Sequence, residues 1–343
     1  MQLSRGLRLL IGTAAAVVAL AGIKHMSQIV GPAFLALTLT IAVSPLRRWL
    51  ARKGAPGWVT VFVPLATVIV VMGALALSLV VALAQLATLV PTYAAKYQEL
   101  LASLTAELGR LGITSEQAKA IFSGLDMGQL VKAAQGILTG LLGVLSAVVL
   151  IVLLLFGMSL DARFMHGAIQ RLSPSPLVSA LAGFAKGTCN YLVVSTMFGL
   201  IVAVLDTVAL AILGVPLPLL WGLLAFITNY IPNVGFIIGL VPPALLALLA
   251  SGPATMLWVI AVYCVLNFVI QSVIQPRYAG ASAGLSTTLT MLSLLVWAYV
   301  LGALGAILAV PLSAFVRAVL LDADPATRWA TPLVAGREIT PRP

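Results

Sequence analysis

Three amides recur at four-residue intervals in an otherwise apolar stretch: Asn267, Gln271 and Gln275 of NFVIQSVIQPR. On a helix that spacing puts them on one face. Such a stripe can act as hydrogen-bonding glue for a neighbouring helix, or it can line a hydrated path that binds a polar solute without charge. Its continuation into Pro276-Arg277 and then Ser286-Thr287-Thr288 favours the path. A second polar group interrupts GVPLPLLWGLLAFITNYIPNVGFIIGLVPPALLALLA (214–250), where Asn229 and Asn233 flank Pro232 and Gly235 follows. Pro232 removes a backbone donor and clashes with the preceding turn, and Gly235 adds conformational freedom. In hydrocarbon every freed N–H or C=O is costly unless protein or water satisfies it. The break therefore reads either as a cavity-lining broken helix, the device by which secondary transporters expose backbone to substrate, or as a tight turn between two short spans.

One ionisable residue falls inside an apolar run, Asp206 of STMFGLIVAVLDTVALAILGVP. Counted from a start near 188 it lies about 27 Å along a helix, close to the outer end. That placement makes it an interfacial carboxylate near water; the alternative is a proton- or cation-linked carboxylate facing the bundle. Catalytic patterns are missing: no GxSxG, HExxH, Walker-type phosphate loop or CxxC. His25 and His166 have no ligand-spaced partner, and Cys189 and Cys264 read as small buried hydrophobes. No enzyme activity, cofactor or metal is expected.

The elements that must position these groups are membrane spans. Hydrophobic residues make up 62% of the 343 and charged residues 8%, with a mean hydropathy of +1.14. A soluble domain carries roughly 25% charged residues, so an ordinary water-facing surface is excluded and an all-α polytopic membrane protein is indicated. Runs that could serve as spans are 8–23, 29–45, 58–90, 136–159, 188–213, 216–250, 254–275 and 284–318, given the roughly 20 apolar residues a crossing needs. The 58–90 run would reach about 50 Å and project beyond the bilayer. The 216–250 run is one kinked crossing or a re-entrant hairpin. Ala19-Leu20-Ala21 resembles a signal-peptidase site, but the next span follows so soon that an uncleaved first helix reads better.

A net charge of +10 does not point to nucleic acid, because the basic residues sit in loops rather than in one patch. With eight crossings and an inward N-terminus, thirteen Lys and Arg face inward, at 5–8, 47–53, 163–186 and 317–342. Short outward loops hold Lys24 and Arg277. Both termini should therefore be cytoplasmic. A hairpin at 216–250 would strand the basic C-terminus outside unless a second one, for instance around 284–318, restored the parity.

Four regions follow: helices one to three (1–90), an outward insertion (91–135), the core (136–320) and a cytoplasmic tail (321–343). In the insertion Tyr93, Tyr97, Leu101, Leu104, Leu108 and Leu111 recur at spacings of three and four, an amphipathic stripe. Thr114 with Gln117 marks a helix start. This region is a surface-lying linker, or more sharply an oligomer contact or gate.

LLWGLLAFITNYIPNVG (219–235), VPP (241–243), QPRYAG (275–280) and GLSTTLTMLSLLVWAYVLGALGAILAVPLSA (284–314) resemble the signature half of the autoinducer-2 exporter family. Order and spacing agree over roughly 188–320, including Tyr191 and Gly214-Val215-Pro216, while the N-terminal half agrees in layout. The resemblance implies a multi-pass permease of the bacterial inner membrane, exporting autoinducer-2 and assembling as a homo-oligomer, a pentamer by analogy. Relatives often carry an acid where this chain has Gln275, so no coupling carboxylate is carried over to that position.

Three functions fit. The first is a secondary transporter exporting a small polar organic molecule, coupled to H+ or Na+, through Asn229, Pro232, Asn233, Gly235, Asn267, Gln271, Gln275, Arg277, Thr287 and Thr288. The second is a monovalent cation/proton antiporter, which needs a titrating carboxylate and so turns on Asp206. The third is a non-transporting assembly factor that binds partners through 91–135.

Overall fold

The computed structural model describes residues 4–93, scattered positions from 96 to 110, 148–161, 175–275 except Asn233, 285–324, and 326, 327 and 334. Its elements are helical. Arg5–His25 (α1) starts at Ser4, whose hydroxyl accepts from Leu7 N. Ser27–Ala42 (α2), the basic Ser44–Arg52 (α3) and Val59–Leu89 (α4) follow. Then come Val148–Asp161 (α5), Pro176–Ile212 (α6), Pro218–Thr228 (α7), Gly235–Ser251 (α8) and Pro253–Asn267 (α9). A π-helical stretch, Phe268–Ile274, continues α9. Thr287–Ile307 (α10) and Ala309–Arg317 (α11) close the described core.

Among the described residues, five segments are long and apolar enough to cross a bilayer: Ser27–Arg52, Val59–Leu86, Pro176–Ile212, Pro253–Ile274 and Thr287–Ile307. The α6 helix has 37 residues, about 55 Å, and starts twelve positions before the run expected from 188. Most of the 91–135 insertion, including Thr114, Gln117 and the larger part of its stripe, lies outside the described residues, as do His166 and most of the tail.

The 216–250 run is not a single crossing. In a continuous helix Ala225 and Gly239 would stand about 21 Å apart. Here a Cβ placed on Gly239 would meet Ala225 Cα at 3.5 Å and Thr228 Oγ1 at 3.2 Å. The chain folds back at 229–234, and α7 and α8 form an antiparallel hairpin. Further from the turn, Leu220 and Trp221 of α7 share an apolar cluster with Ala244, Leu246 and Ala247 of α8. Gly222 lets α7 lie directly on α6, against Thr207 and the Ala203 carbonyl. Close backbone approach at small residues is how helices pack without a hydrophobic drive between them.

The 284–318 run folds back as well. Ser293 Oγ donates to the Ala309 carbonyl at 3.0 Å, although sixteen residues of straight helix would separate them by about 24 Å. The reversal occurs at Gly302, whose φ of 66° lies in the left-handed region that glycine enters without a Cβ clash. Gly305 then rests on the Trp297 carbonyl, where no side chain would fit. Of the two alternatives left open by the sequence, 216–250 takes the hairpin, and the second hairpin envisaged around 284–318 is present as well.

Contacts sort the turns by end. Leu86, Leu89 and Tyr93 of the α4 terminus pack with Leu213, Leu217 and Ala247, and Lys96 Nζ donates to the Ala250 carbonyl at 3.3 Å. Both arms of the first hairpin therefore open at that end. At the other end Ile41 of α2, Ala180 and Phe184 of α6, and Ala314 and Phe315 of α11 gather around Ala318. Phe315 is edge-on to Phe34 and Phe184, with centroids 5.8 and 5.4 Å away. The hairpins enter from opposite ends. Ile231 and Val234, from the turn of the first, pack on the apolar cluster of Leu294, Trp297, Leu301 and Leu308 in the second.

Candidate functional site

The turn of the first hairpin is held by side chains from α6. Asn229 Nδ2 donates to the Ser195 carbonyl at 2.9 Å, and Gly199 makes room for it, since a Cβ there would meet Asn229 Nδ2 at 2.8 Å. Tyr191 Oη donates to the Tyr230 carbonyl at 3.0 Å. Tyr230 Oη and Thr196 Oγ1 are 2.7 Å apart. Because Thr196 donates to the Leu192 carbonyl at 2.6 Å, Tyr230 is the donor of that pair. Within the turn, Ile231 N reaches the Thr228 carbonyl at 2.8 Å and Gly235 N reaches that of Ile231 at 3.0 Å. Several carbonyls at the break are therefore met by protein groups, as hydrocarbon burial demands.

From the other side comes the amide stripe. Gln271 Nε2 donates to Asn267 Oδ1 at 2.8 Å and to Asn229 Oδ1 at 3.2 Å. Asn267 Nδ2 donates to the Tyr263 carbonyl at 2.9 Å. This joins α7 to the α9 continuation through a network in which each amide nitrogen has an acceptor. Gln271 lies in the π-helical stretch, a local widening that often marks functional positions.

Beside this network lies a cavity lined by Asp206 of α6, Thr228 and Asn229 at the end of α7, Gly239 of α8, Tyr263 and Asn267 of α9, and Gln271. It measures about 10 Å³, room for one water or a bare ion of that size. Asp206 is 0% exposed, Tyr263 1% and Thr228 4%. Both carboxylate oxygens of Asp206 and the Tyr263 hydroxyl have no hydrogen-bond partner.

Asn229, Asn267 and Gln271 are thus brought together, and Asp206 lines the same cavity. The water-facing placement expected for Asp206 does not hold, since its side chain is buried. Asp206 does lie six residues from the end of α6, but the first hairpin covers it and keeps it from water. Gly235 is buried at the start of α8 against the Thr228 carbonyl, and Pro232 is half-buried in the turn. Gln275 is half-buried one turn beyond Gln271, while Thr287 and Thr288 are exposed at the start of α10. None of these three lines the cavity. Asn233 and Arg277 lie outside the described residues. Of the cysteines, Cys189 is buried as expected and Cys264 is exposed, which an apolar bilayer-facing surface accommodates.

Tyr263, Thr228, Ser195 and the role of Tyr191 were not apparent in the sequence. One signal was present: Tyr263 precedes Asn267 by four residues, extending the amide stripe by one position. Thr228 and Ser195 carry no such signal, since their contribution depends on how separate helices meet. Among the described residues no three His, Cys, Asp or Glu side chains converge as a metal site would require.

The chain is similar to proteins of Escherichia coli and Bacillus subtilis. It is 30% identical over 317 residues to the AI-2 transport protein TqsA of Escherichia coli, covering 92% of each chain. It is 29% identical over 310 residues to YhhT of the same organism, covering 90% of this chain and 88% of the relative. With YrrI of Bacillus subtilis the identity is 26% over 312 residues, 84% of this chain and 85% of the relative. The model of the AI-2E family transporters matches residues 13–323, which takes in every described helix of both hairpins and the cavity beside the first, so the chain belongs to the AI-2E transporter family and is a multi-pass membrane transporter.

Proposed function

We propose that this protein exports a small polar organic molecule of the autoinducer-2 kind across the cytoplasmic membrane, with the amide network at the first hairpin as its solute contact. The observation that carries the reading is Gln271 bridging Asn229 and Asn267 at 3.2 and 2.8 Å. Three neutral amides at the turn of a re-entrant hairpin suit a solute rich in hydroxyls and carbonyls. The AI-2 named for TqsA is of that chemistry. A cavity of about 10 Å³ does not hold such a molecule, so passage requires the hairpin turns to part. Their meeting surface, Ile231 and Val234 against the second hairpin, is then the barrier.

Orientation follows from charge. With two hairpins, the basic segments at 5–8, 47–53 and 317–342 share one end, and the positive-inside bias makes that end cytoplasmic. Both termini are then cytoplasmic, and 91–135 lies outside. The carrier works as a homo-oligomer, as the resemblance to the family implies.

Efflux of labelled autoinducer-2 from proteoliposomes tests the reading. Gln271→Leu should lower transport per folded protein at least about tenfold, while melting shifts only by the roughly 0.6 to 2 kcal/mol of an intramembrane hydrogen bond or two. Normal efflux by Gln271→Leu would remove the network from the pathway.

A further inference from the structure

Positive charge is not spent evenly over this protein. Lys24 lies over the Tyr299 ring, 3.4 Å from its centroid, Lys96 donates to the Ala250 carbonyl, and Arg317 pairs with Asp322 at 3.4 Å. Arg47 is half-buried and engaged within the protein. By contrast Arg48, Arg52 and Lys53, at the end of α3, are exposed, and among the described residues no carboxylate pairs with them. Arg48 and Arg52 stand one turn apart on one face of a helix that contains no acid, a like-charge pair that costs a helix stability. A helix dipole draws cations to the last turn, which accounts for Arg52 and Lys53 but not for Arg48. A pair arranged so, with nothing of opposite sign beside it, is a place for an anion.

Its height in the membrane says which. The α2 and α3 helices form one segment, Ser27–Arg52, of 26 residues. That is about 39 Å of helix against a hydrocarbon core of about 30 Å, so the last turns of α3 stand at headgroup level. Gly54, with a φ of 75°, then ends α3. Its N–H meets the Ala51 carbonyl at 3.1 Å and Ala55 N meets that of Leu50 at 3.2 Å, the paired closure that a residue of positive φ gives a helix end. This tight return sets Trp58, at the start of α4, back beside α3. Trp49 and Trp58 are 50% and 64% exposed, and indoles at that level mark the boundary between acyl chain and headgroup. Lys53 lies 5.9 Å from the centroid of the Trp49 ring, so cation and aromatic are neighbours. An anion here meets guanidinium forks suited to phosphate, next to rings suited to lipid. A soluble phosphate would use the forks and have no use for the rings.

We propose that Arg48, Arg52 and Lys53 bind the headgroup of an anionic phospholipid of the phosphatidylglycerol type, with Trp49 and Trp58 against its glycerol and upper acyl chains. The phosphate takes the place of the acid missing beside Arg48 and Arg52, and the lipid ties the end of α3 to the start of α4. Net charge supplies the selectivity, because a zwitterionic headgroup brings an ammonium of its own to a cluster of cations. The binding stands without the solute reading. Only the leaflet rests on the orientation given above, in which this end is cytoplasmic.

Lipid binding is read by native mass spectrometry of the purified full-length protein in neutral detergent, with dioleoylphosphatidylglycerol or dioleoylphosphatidylcholine added. Melting temperature is followed in the same mixtures at low and high salt. Expected are preferential retention of phosphatidylglycerol and a melting temperature that rises with it alone, both effects weakening as salt increases. Arg48→Gln together with Arg52→Gln should lower that retention about thirtyfold, the worth of two cations at a charged headgroup. Relief of the like-charge pair should leave the lipid-free melting temperature unchanged or higher, which separates loss of binding from loss of fold. Lys186→Gln, at an exposed cation of α6, should change neither quantity. Equal retention of the two lipids overturns the proposal, as does phosphatidylglycerol retention that survives the double substitution. A melting response to inorganic phosphate as large as that to phosphatidylglycerol overturns it too, and makes this a site for a soluble anion. Each of these failures leaves the solute pathway standing, since no transport is measured.

Discussion

The two re-entrant hairpins solve the same problem in different ways. The second closes on itself: Ser293 donates to the Ala309 carbonyl and Trp297 Nε1 to Ser313 Oγ at 2.9 Å, and its arms share one apolar cluster. The first leans on its neighbours: its turn depends on Tyr191, the Ser195 carbonyl and Thr196 of α6, and on Gln271 beyond α9. A hairpin sealed internally moves as a unit or not at all. One sealed by polar bonds to other helices can exchange those bonds for a solute or an ion. On the function proposed above, the first hairpin is the moving, selective part and the second the fixed one.

The largest test of this comparison is all-or-none. A cysteine at Ser251, which is exposed beside the α8–α9 turn, should react with a membrane-impermeant thiol reagent added from outside. One at Asp324, past the second hairpin, should react only from inside. In eight plain crossings Ser251 would be cytoplasmic, so inward labelling at both positions would abolish the two-hairpin topology.

Next in size is a contrast of single bonds. Asn229→Ala removes the bonds to Ser195 and Gln271 and leaves the Ser195 carbonyl buried without that donor, a cost of about 1–3 kcal/mol. Transport per folded protein should nearly vanish. Ser293→Ala removes one bond inside the second hairpin, at about 0.6 kcal/mol by the average for membrane proteins, and transport should be unchanged. Melting curves and efflux on the same preparations check both. Loss of transport in Ser293→Ala with Asn229→Ala active would reverse the assignment.

The sequence made the helices legible because long apolar runs leave a bilayer protein few other choices. Basic loop residues set an expected parity, which a pair of hairpins leaves the same as a pair of crossings would. The hairpins themselves were less legible, because both arms keep the same apolar character as a crossing. Pro232 announced the first reversal. The second occurs at Gly302 in YVLGALGAI, where no proline or polar residue marks it. Burial of Asp206 was hidden for another reason: linear counting gives depth along one helix, but the covering α7 and α8 arrive from elsewhere in the chain. The stripe of Asn267 and Gln271 was readable from periodicity, whereas its partner Asn229 is joined to it only by the fold.

The smallest expected effect concerns the residue that first drew notice to the hairpin. If Pro232 broke an otherwise straight crossing, Pro232→Ala would recover a backbone bond and join α7 to α8. In the folded protein the reversal does not depend on it. Tyr191 holds the Tyr230 carbonyl, Asn229 is fixed on both sides, and Gly235 N closes the turn on Ile231. What proline contributes is a preset φ that limits the unfolded chain, worth about 0.4–1 kcal/mol. Pro232→Ala should therefore lower melting slightly, leave the Ser251 labelling side unchanged and retain most transport. Tyr191→Phe, which strips the donor from the Tyr230 carbonyl, should cost more, about 1–3 kcal/mol. If Pro232→Ala instead stops transport while raising stability, the first hairpin is a strained crossing held open by proline, and its contrast with the second has been drawn at the wrong residue.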